Sequence, residues 1–191
     1  MLEQQHLITV LGAGGMGKTS LLNNLGRLLP YTTLPLFVDL QGHVSYASDL
    51  AGFFYNVARA MVRSADELRG IRLPFQSRAT FAADPLTVFD EWLDEVERVA
   101  LAGGVETVLL MLDEFEALDA ALVDGRLSEA AVLGSLRHLI QHRPRFKVLL
   151  AGSHPLQEFE RWAGYFINAQ VIHIGYLRGD EARQLVEHPV K

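Results

Sequence analysis

Residues 7–25 read LITVLGAGGMGKTSLLNNL, and this stretch decides the fold. The apolar run at 7–11 is typical of a buried strand, and the glycines that follow it are typical of a tight loop. Beyond the loop, leucines recur at helical spacing. The stretch is therefore predicted to form a strand, a loop and a helix, in that order.

The loop satisfies the phosphate-binding (Walker A) pattern G-x-x-x-x-G-K-[ST]. Glycines let backbone N–H groups turn inward around a polyphosphate, and the helix that begins at the end of the loop points its positive dipole end at the same phosphates. Lys18 is predicted to reach the β- and γ-phosphates, and Thr19 to bind Mg²⁺. The residues predicted to contact the nucleotide are Gly12, Ala13, Gly14, Gly15, Met16, Gly17, Lys18, Thr19 and Ser20.

The same glycines also form a second motif. Gly12, Gly14 and Gly17 fit G-x-G-x-x-G. Asp39 ends an apolar run about 20 residues further on, as the dinucleotide-binding fingerprint requires. On this stretch alone, a Rossmann domain that binds NAD is an open alternative.

A second motif in the chain separates the two alternatives. Residues 107–112 read TVLLML, which is typical of a central strand covered on both faces, and Asp113 and Glu114 follow directly. In this Walker B arrangement Asp113 is predicted to hold Mg²⁺ opposite Thr19, and Glu114 to orient and deprotonate the attacking water. A dinucleotide-binding domain needs neither this pair nor Lys18. The sequence therefore favours a nucleoside triphosphate over NAD, and Asp39 is interpreted as a polar strand end.

Other nucleotide-binding classes lack support in the sequence. The chain contains neither the Asn-Lys-x-Asp motif for guanine nor the Leu-Ser-Gly-Gly-Gln signature of transporter ATPases. ATP or ADP with Mg²⁺ is the expected ligand. His138 and His142 have a spacing that can bind zinc, but the metalloprotease pattern is absent and a surface pair is the favoured interpretation.

Length and composition indicate one globular domain. The 191 residues suffice for a substantial core, and the formal charge of −6 gives no global attraction to nucleic acid or to anionic membranes. The absence of cysteine excludes disulfides, thiolate metal sites and a cysteine nucleophile. No apolar run approaches the ~20 residues needed to span a bilayer, and no secretory signal is present, so a cytoplasmic location is expected.

Strands alternate with helices along the chain, which predicts an α/β fold with a mainly parallel sheet and helices on both faces. Pro35 indicates an edge position for the second strand. Residues 63–83 are interpreted as an extended connection without an assigned role. Further strands are predicted at 34–40, 146–151 and 170–174, and further helices after Ser48 or Asp49, after Asp84, and at 128–141, 156–162 and 179–188.

Four stretches together resemble prokaryotic AAA+/STAND ATPases, the signal-transduction relatives of the archaeal and origin-recognition-like ATPases. They are GAGGMGKTS at 12–20, VLLMLDEFEAL at 108–118, LLAGSHPL at 149–156 and LRGDEARQLV at 177–186. The resemblance covers nearly the whole chain. It implies a P-loop three-layer α/β sandwich with a five-stranded sheet in the order 5-1-4-3-2. The strands that end at Asp113 and Ser153 are both expected to neighbour the first strand.

The resemblance also implies roles for three further residues. Ser153, with His154 as the weaker alternative, matches the polar sensor that contacts the γ-phosphate or the attacking water, and Arg161 lies where an arginine finger could precede the fifth strand. Family members usually carry an adenine-contacting segment before the core and a helical lid after it. Residues 1–191 are expected to form a single core domain without either.

Three functions are weighed on this basis. The first is Mg²⁺-dependent ATP binding and slow hydrolysis, which would act as a conformational switch for fused or partner domains of a signalling or regulatory protein. The second is a nucleotide-dependent homo-oligomerisation or interaction module with little turnover. The third, and least supported, is NAD binding.

Overall fold

The computed structural model describes residues 6–42, 44–155, 158–166 and 169–187. Five strands and eight helices are found within these ranges. The strands are β1 (Leu7–Leu11), β2 (Thr33–Asp39), β3 (Thr107–Asp113), β4 (Phe146–Gly152) and β5 (Gln170–His173). The helices are α1 (Lys18–Leu28), α2 (Leu50–Arg69), α3 (Arg78–Ala83), α4 (Pro85–Ala102), α5 (Phe115–Val123), α6 (Glu129–His142), α7 (Glu160–Tyr165) and α8 (Gly179–Glu187).

All five strands form one parallel sheet in the order β2-β3-β4-β1-β5. This is the predicted order 5-1-4-3-2 counted from the opposite edge, so the fold prediction is confirmed. The expectation that the strand ending at Asp113 neighbours the first strand is wrong. β4 pairs with both β1 and β3, and therefore lies between them.

Helices cover both faces of the sheet. Alternate residues of β3 point to opposite sides, as strand geometry requires. Leu109 and Met111 pack with Leu22 of α1 in a smaller core, whereas Leu110 and Leu112 join a larger core formed with α2, α4, α5 and α6. The central strands β3 and β4 are buried on both sides, which accounts for their continuous apolar sequences.

The edge position of β2 predicted from Pro35 is confirmed, and its outer backbone groups are occupied. Thr33 N–H donates to Pro30 O at 2.9 Å, and Phe37 N–H donates to Ser64 Oγ of α2 at 2.8 Å. Pro35 between them has no N–H to satisfy. An edge strand treated in this way offers little to an incoming strand.

The predicted helix starts are confirmed at their caps. Asp49 Oδ1 accepts from Gly52 N–H at 2.6 Å, and Asp84 Oδ1 accepts from Thr87 N–H at 3.2 Å, with Pro85 in the first helical position. The helix predicted at 156–162 begins at Glu160 in the structure. Residues 156–157 and 188, which belong to predicted helices, lie outside the described residues.

The extended connection predicted at 63–83 is wrong. Helix α2 continues to Arg69 and ends where Gly70 adopts the left-handed conformation, with φ of 64°. Residues 78–83 form α3, which Ser77 caps. The arginines that seemed irregular are helical, since Arg69 donates to the carbonyls of Gly26 and Leu29 at the end of α1.

The described helices include none that is long and apolar enough to cross a membrane.

Arg143 joins α4 to the turn between α6 and β4. Its guanidinium is buried and donates to Asp90 Oδ1 and Asp94 Oδ1, each at 2.7 Å, and to Asp90 O at 2.8 Å. Planar geometry lets one arginine satisfy acceptors on two turns of a helix at once. Arg143 therefore fixes α4 against the amino end of a central strand.

We expect Arg143→Met to lower the free energy of unfolding by about 1–3 kcal/mol, because charge-assisted hydrogen bonds are lost at a site with little solvent. Urea unfolding followed by circular dichroism measures the change. Arg63→Met is the matched control: its ion pair with Glu67 is exposed, so the expected change is within about 0.5 kcal/mol. Equal effects of the two substitutions would contradict the proposed difference.

Candidate active site

The predicted site residues converge at the carboxyl edge of the sheet. Leu11 at the end of β1 is in register with Gly152 at the end of β4, and Asp39 at the end of β2 is in register with Asp113. In a parallel sheet the loops that leave these ends share one side, where ligands of open α/β sheets bind. Residues far apart in the sequence are thereby placed around one crevice.

The loop between β1 and α1 depends on glycine at three points. A Cβ at Gly12 would lie 2.8 Å from the carbonyl oxygen of Ile174, and Gly15 and Gly17 have φ of 80° and 86°. Only glycine adopts such φ values without strain. Gly14 has neither constraint, and nothing lies within 4 Å of a Cβ built there. The protein's own packing thus explains Gly12, Gly15 and Gly17 but not Gly14.

Helix α1 begins directly at the end of this loop. Gly17 is its N-cap and provides no side-chain hydrogen bond, and the first helical bond is donated by Leu21 N–H to Gly17 O at 2.8 Å. The amide groups of the preceding turn have no acceptor within the helix. Together with the helix dipole they form a site suited to an anion.

Lys18 places a buried ammonium group inside the loop. Its Nζ donates to Gly12 O at 2.7 Å, to Ala13 O at 3.4 Å and to Ser153 Oγ at 3.3 Å. The lysine is only 4% exposed, although its charge must be solvated by something. Carbonyl and hydroxyl oxygens do so here, and phosphate oxygens can replace them.

Thr19 and Asp113 are in direct contact. Thr19 Oγ1 donates to Asp113 Oδ2 at 2.6 Å, and Asp113 Oδ1 accepts from Glu114 N–H at 3.1 Å. Burial raises the pKa of Asp113, while the hydrogen bonds from Thr19 and Glu114 and the charge of Lys18 oppose that rise.

A hydroxyl and a carboxylate are ligands that Mg²⁺ accepts, and the cation usually keeps several waters besides. Thr19 and Asp113 are therefore fitted to hold it. Within the described part of the chain, no group of three or more His, Asp or Glu side chains could form a metal site by protein ligands alone. His138 and His142 lie with ring centroids 4.6 Å apart, and His138 Nε2 is 4.0 Å from Asp90 Oδ1.

Glu114 has an unusual backbone. Its φ of 57° is positive, which among the described residues is found for no other non-glycine residue. Such conformations cost about 1–3 kcal/mol and occur mainly at functional sites. The conformation turns the chain from β3 into α5 immediately after Asp113. Burial and the nearby charge of Glu116 raise the pKa of Glu114, and Lys18 opposes the rise.

Ser153 lies at the tip of β4, where its hydroxyl accepts the bond from Lys18. Its amide N–H donates to Glu116 Oε1, as does His154 N–H at 3.1 Å. Sequence reasoning missed Glu116. The available signal was an acidic residue three positions after Asp113, which helical geometry directs back toward the sheet edge.

Two other candidate residues are engaged elsewhere. Arg161 Nε forms an ion pair with Glu129 Oε2 of α6 at 2.9 Å, so its charge is paired on the helical layer rather than with a site residue. Asp39 Oδ1 accepts from Gln41 N–H at 2.8 Å and caps the turn after β2. This bond agrees with the interpretation of Asp39 as a polar strand end.

Comparisons with known proteins give the chain a family. A family model described as an AAA domain matches residues 2–159. No curated protein sequence matches the chain significantly. Among the solved structures that match is a Walker-type ATPase of Pyrococcus abyssi, with a TM-score of 0.65 and 14% sequence identity. That match covers 100% of this chain and 56% of the other, so the chain spans little more than half the length of the archaeal protein.

The archaeal structure, at this identity, supports the fold alone. The family assignment depends on the family model, which spans most of the 191 residues and includes both nucleotide-binding motifs and the tip of β4. The chain belongs to the AAA domain family and is a P-loop ATPase of that type.

Proposed function

We propose that this domain binds ATP with Mg²⁺ at residues 12–20 and hydrolyses it slowly, and that the exchange between ATP- and ADP-bound states is a conformational switch. The observation that carries the proposal is the 2.6 Å bond between Thr19 Oγ1 and Asp113 Oδ2, beside the buried Lys18. Two ligands suited to Mg²⁺ and a phosphate-binding cation are thereby adjacent.

Each residue has a role that fits its environment. The loop amides and Lys18 neutralise the phosphates, and Thr19 and Asp113 hold the metal. When bound, Mg²⁺ neutralises charge that develops on the phosphate oxygens. Glu114 accepts a proton from the attacking water, a role helped by its raised pKa, and Ser153 contacts the γ-phosphate.

We further propose that the protein is cytoplasmic, that residues 1–191 form one core domain, and that it belongs to the STAND and origin-recognition-like branch. The branch assignment is supported by the DEFEAL and LLAGSHPL stretches. The switch acts on fused or partner domains. The greater length of the archaeal ATPase is consistent with this architecture.

A second candidate is a nucleotide-dependent homo-oligomerisation module with little turnover. It is favoured by exposed apolar side chains on and after the edge strand β5, namely Val171, Ile172, Tyr176 and Leu177. Sedimentation with ADP and with a non-hydrolysable ATP analogue separates the candidates, because only an assembly module changes its oligomeric size between them. An NAD-binding domain has less support, since it leaves the Thr19–Asp113 contact without a purpose.

We expect Thr19→Ala to abolish the increase in ATP affinity that Mg²⁺ produces, while ATP affinity in excess chelator stays within about twofold of wild type. The reason is that the substitution removes one metal ligand and leaves the loop amides and Lys18 in place. Fluorescence titration with and without Mg²⁺ measures both values. Ser48→Ala, an exposed hydroxyl outside the site, should retain the full response to Mg²⁺. An unchanged response in Thr19→Ala would remove Thr19 from the metal site.

We expect Glu114→Gln to keep ATP binding and to slow ATP hydrolysis by about a hundredfold or more, because an amide cannot take the proton from water. Phosphate release measures turnover, and titration measures binding on the same preparation. Glu91→Gln removes a comparable exposed carboxylate from α4 and should leave both unchanged. Wild-type turnover in Glu114→Gln would show that another group activates the water.

A further inference from the structure

Glu116 occupies an unusual position in the first turn of α5. One carboxylate oxygen, Oε1, accepts the amide N–H groups of both Ser153 and His154. The other, Oε2, is buried, and no hydrogen-bond partner for it is present among the described residues. A carboxylate turned away from water in this way costs free energy unless the bonds it does make are strong. Its placement therefore calls for an explanation beyond helix capping.

The fit of α5 against the tip of β4 makes this position specific. A Cβ at Gly152 would lie 2.6 Å from Glu116 Oε1 and would collide with the ring of Phe115. Phe115 is fully buried, with its ring packed edge-on against Phe159. Glycine at 152 thus lets the first turn of α5 approach the backbone from which Ser153 projects.

The contacts around the site form a closed series through Glu116. The α5 turn that carries Glu116 begins directly after Asp113, whose carboxylate contacts Thr19. Glu116 holds the amide of Ser153, and the Ser153 hydroxyl accepts from Lys18, the residue next to Thr19. Movement of the β4 tip would break this series at Ser153 and leave the Thr19–Asp113 contact intact.

We propose that Glu116 is a positioning residue: it fixes the backbone of Ser153 so that the serine hydroxyl faces Lys18, and it thereby sets the preference of the domain for ATP over ADP. This inference rests on the proposed function. Only ATP carries the γ-phosphate, which is the group expected beside both Lys18 and Ser153. The remaining contacts of the loop serve ATP and ADP alike.

The first test uses the nucleotide-free protein and hydrogen exchange at single amides. We expect Glu116→Ala to accelerate exchange at Ser153 and His154 by about tenfold or more, because both amides lose their acceptor. Glu116→Gln retains an acceptor oxygen and should stay within about threefold of wild type. If Glu116→Ala does not fold, Glu116→Asp, one methylene shorter, replaces it.

Asp119→Ala is the matched control for this test. Asp119 lies on the same helix and accepts from Trp162 Nε1 of α7 at 2.9 Å, so its removal also loosens α5. We expect exchange at Ser153 and His154 to stay at the wild-type rate in this variant. Unchanged exchange in Glu116→Ala, or equal acceleration in Asp119→Ala, would overturn the positioning role.

The second test is the ratio of the Kd values for ADP and ATP, measured in Mg²⁺. We expect Glu116→Ala to weaken ATP binding about tenfold with ADP binding within about twofold of wild type, and Glu116→Gln to restore the ratio. Ser153→Ala should have the same effect, and the double variant should be no worse than either single one. Additive effects, or a ratio that Glu116→Ala leaves unchanged, would contradict a role through Ser153.

The two proposals fail in different ways. Wild-type protein that binds neither ATP nor ADP would overturn the proposed function and the role of Glu116 in nucleotide preference. The exchange rates would still decide whether Glu116 holds the β4 tip. Tight ATP binding by the wild type, together with unchanged exchange in Glu116→Ala, would overturn the inference and leave the proposed function standing.

Discussion

The hydrogen bond between Thr19 Oγ1 and Asp113 Oδ2 is the contact on which the arrangement of the site depends. It joins the start of α1 to the end of β3, two strands away from β1 in the sheet. The bond is made only if β4 is inserted between them in the observed register, with Leu11 level with Gly152. Sheet order, loop conformation and helix α1 must therefore all be correct before the two side chains meet.

Much of this arrangement follows from local sequence. The apolar runs identify the strands, Pro35 identifies an edge, and Asp84 with Pro85 identifies a helix start, because each depends on backbone chemistry within a few residues. The same holds for Lys18, Thr19 and Asp113, whose motifs fix both residue type and spacing.

The features that escaped prediction depend on distant or unusual geometry. Helix α5 begins without a side-chain cap, at a glutamate with φ of 57°, so none of the usual start signals marks it. The contact of Glu116 with Ser153 spans 37 positions in the sequence and exists only because β3 and β4 are paired. Helix α2 continued through a stretch rich in arginine because Arg69 and Gly70 end it with contacts to α1 and a left-handed cap.

Equilibrium titration of the wild-type protein with ATP and with NAD, each with and without Mg²⁺, tests the central claim most directly. We expect ATP to bind and Mg²⁺ to tighten its binding, because Thr19 and Asp113 are placed to share one cation, and we expect NAD to bind weakly or not at all. NAD binding that is indifferent to Mg²⁺, with no binding of ATP, would contradict the assignment of the site.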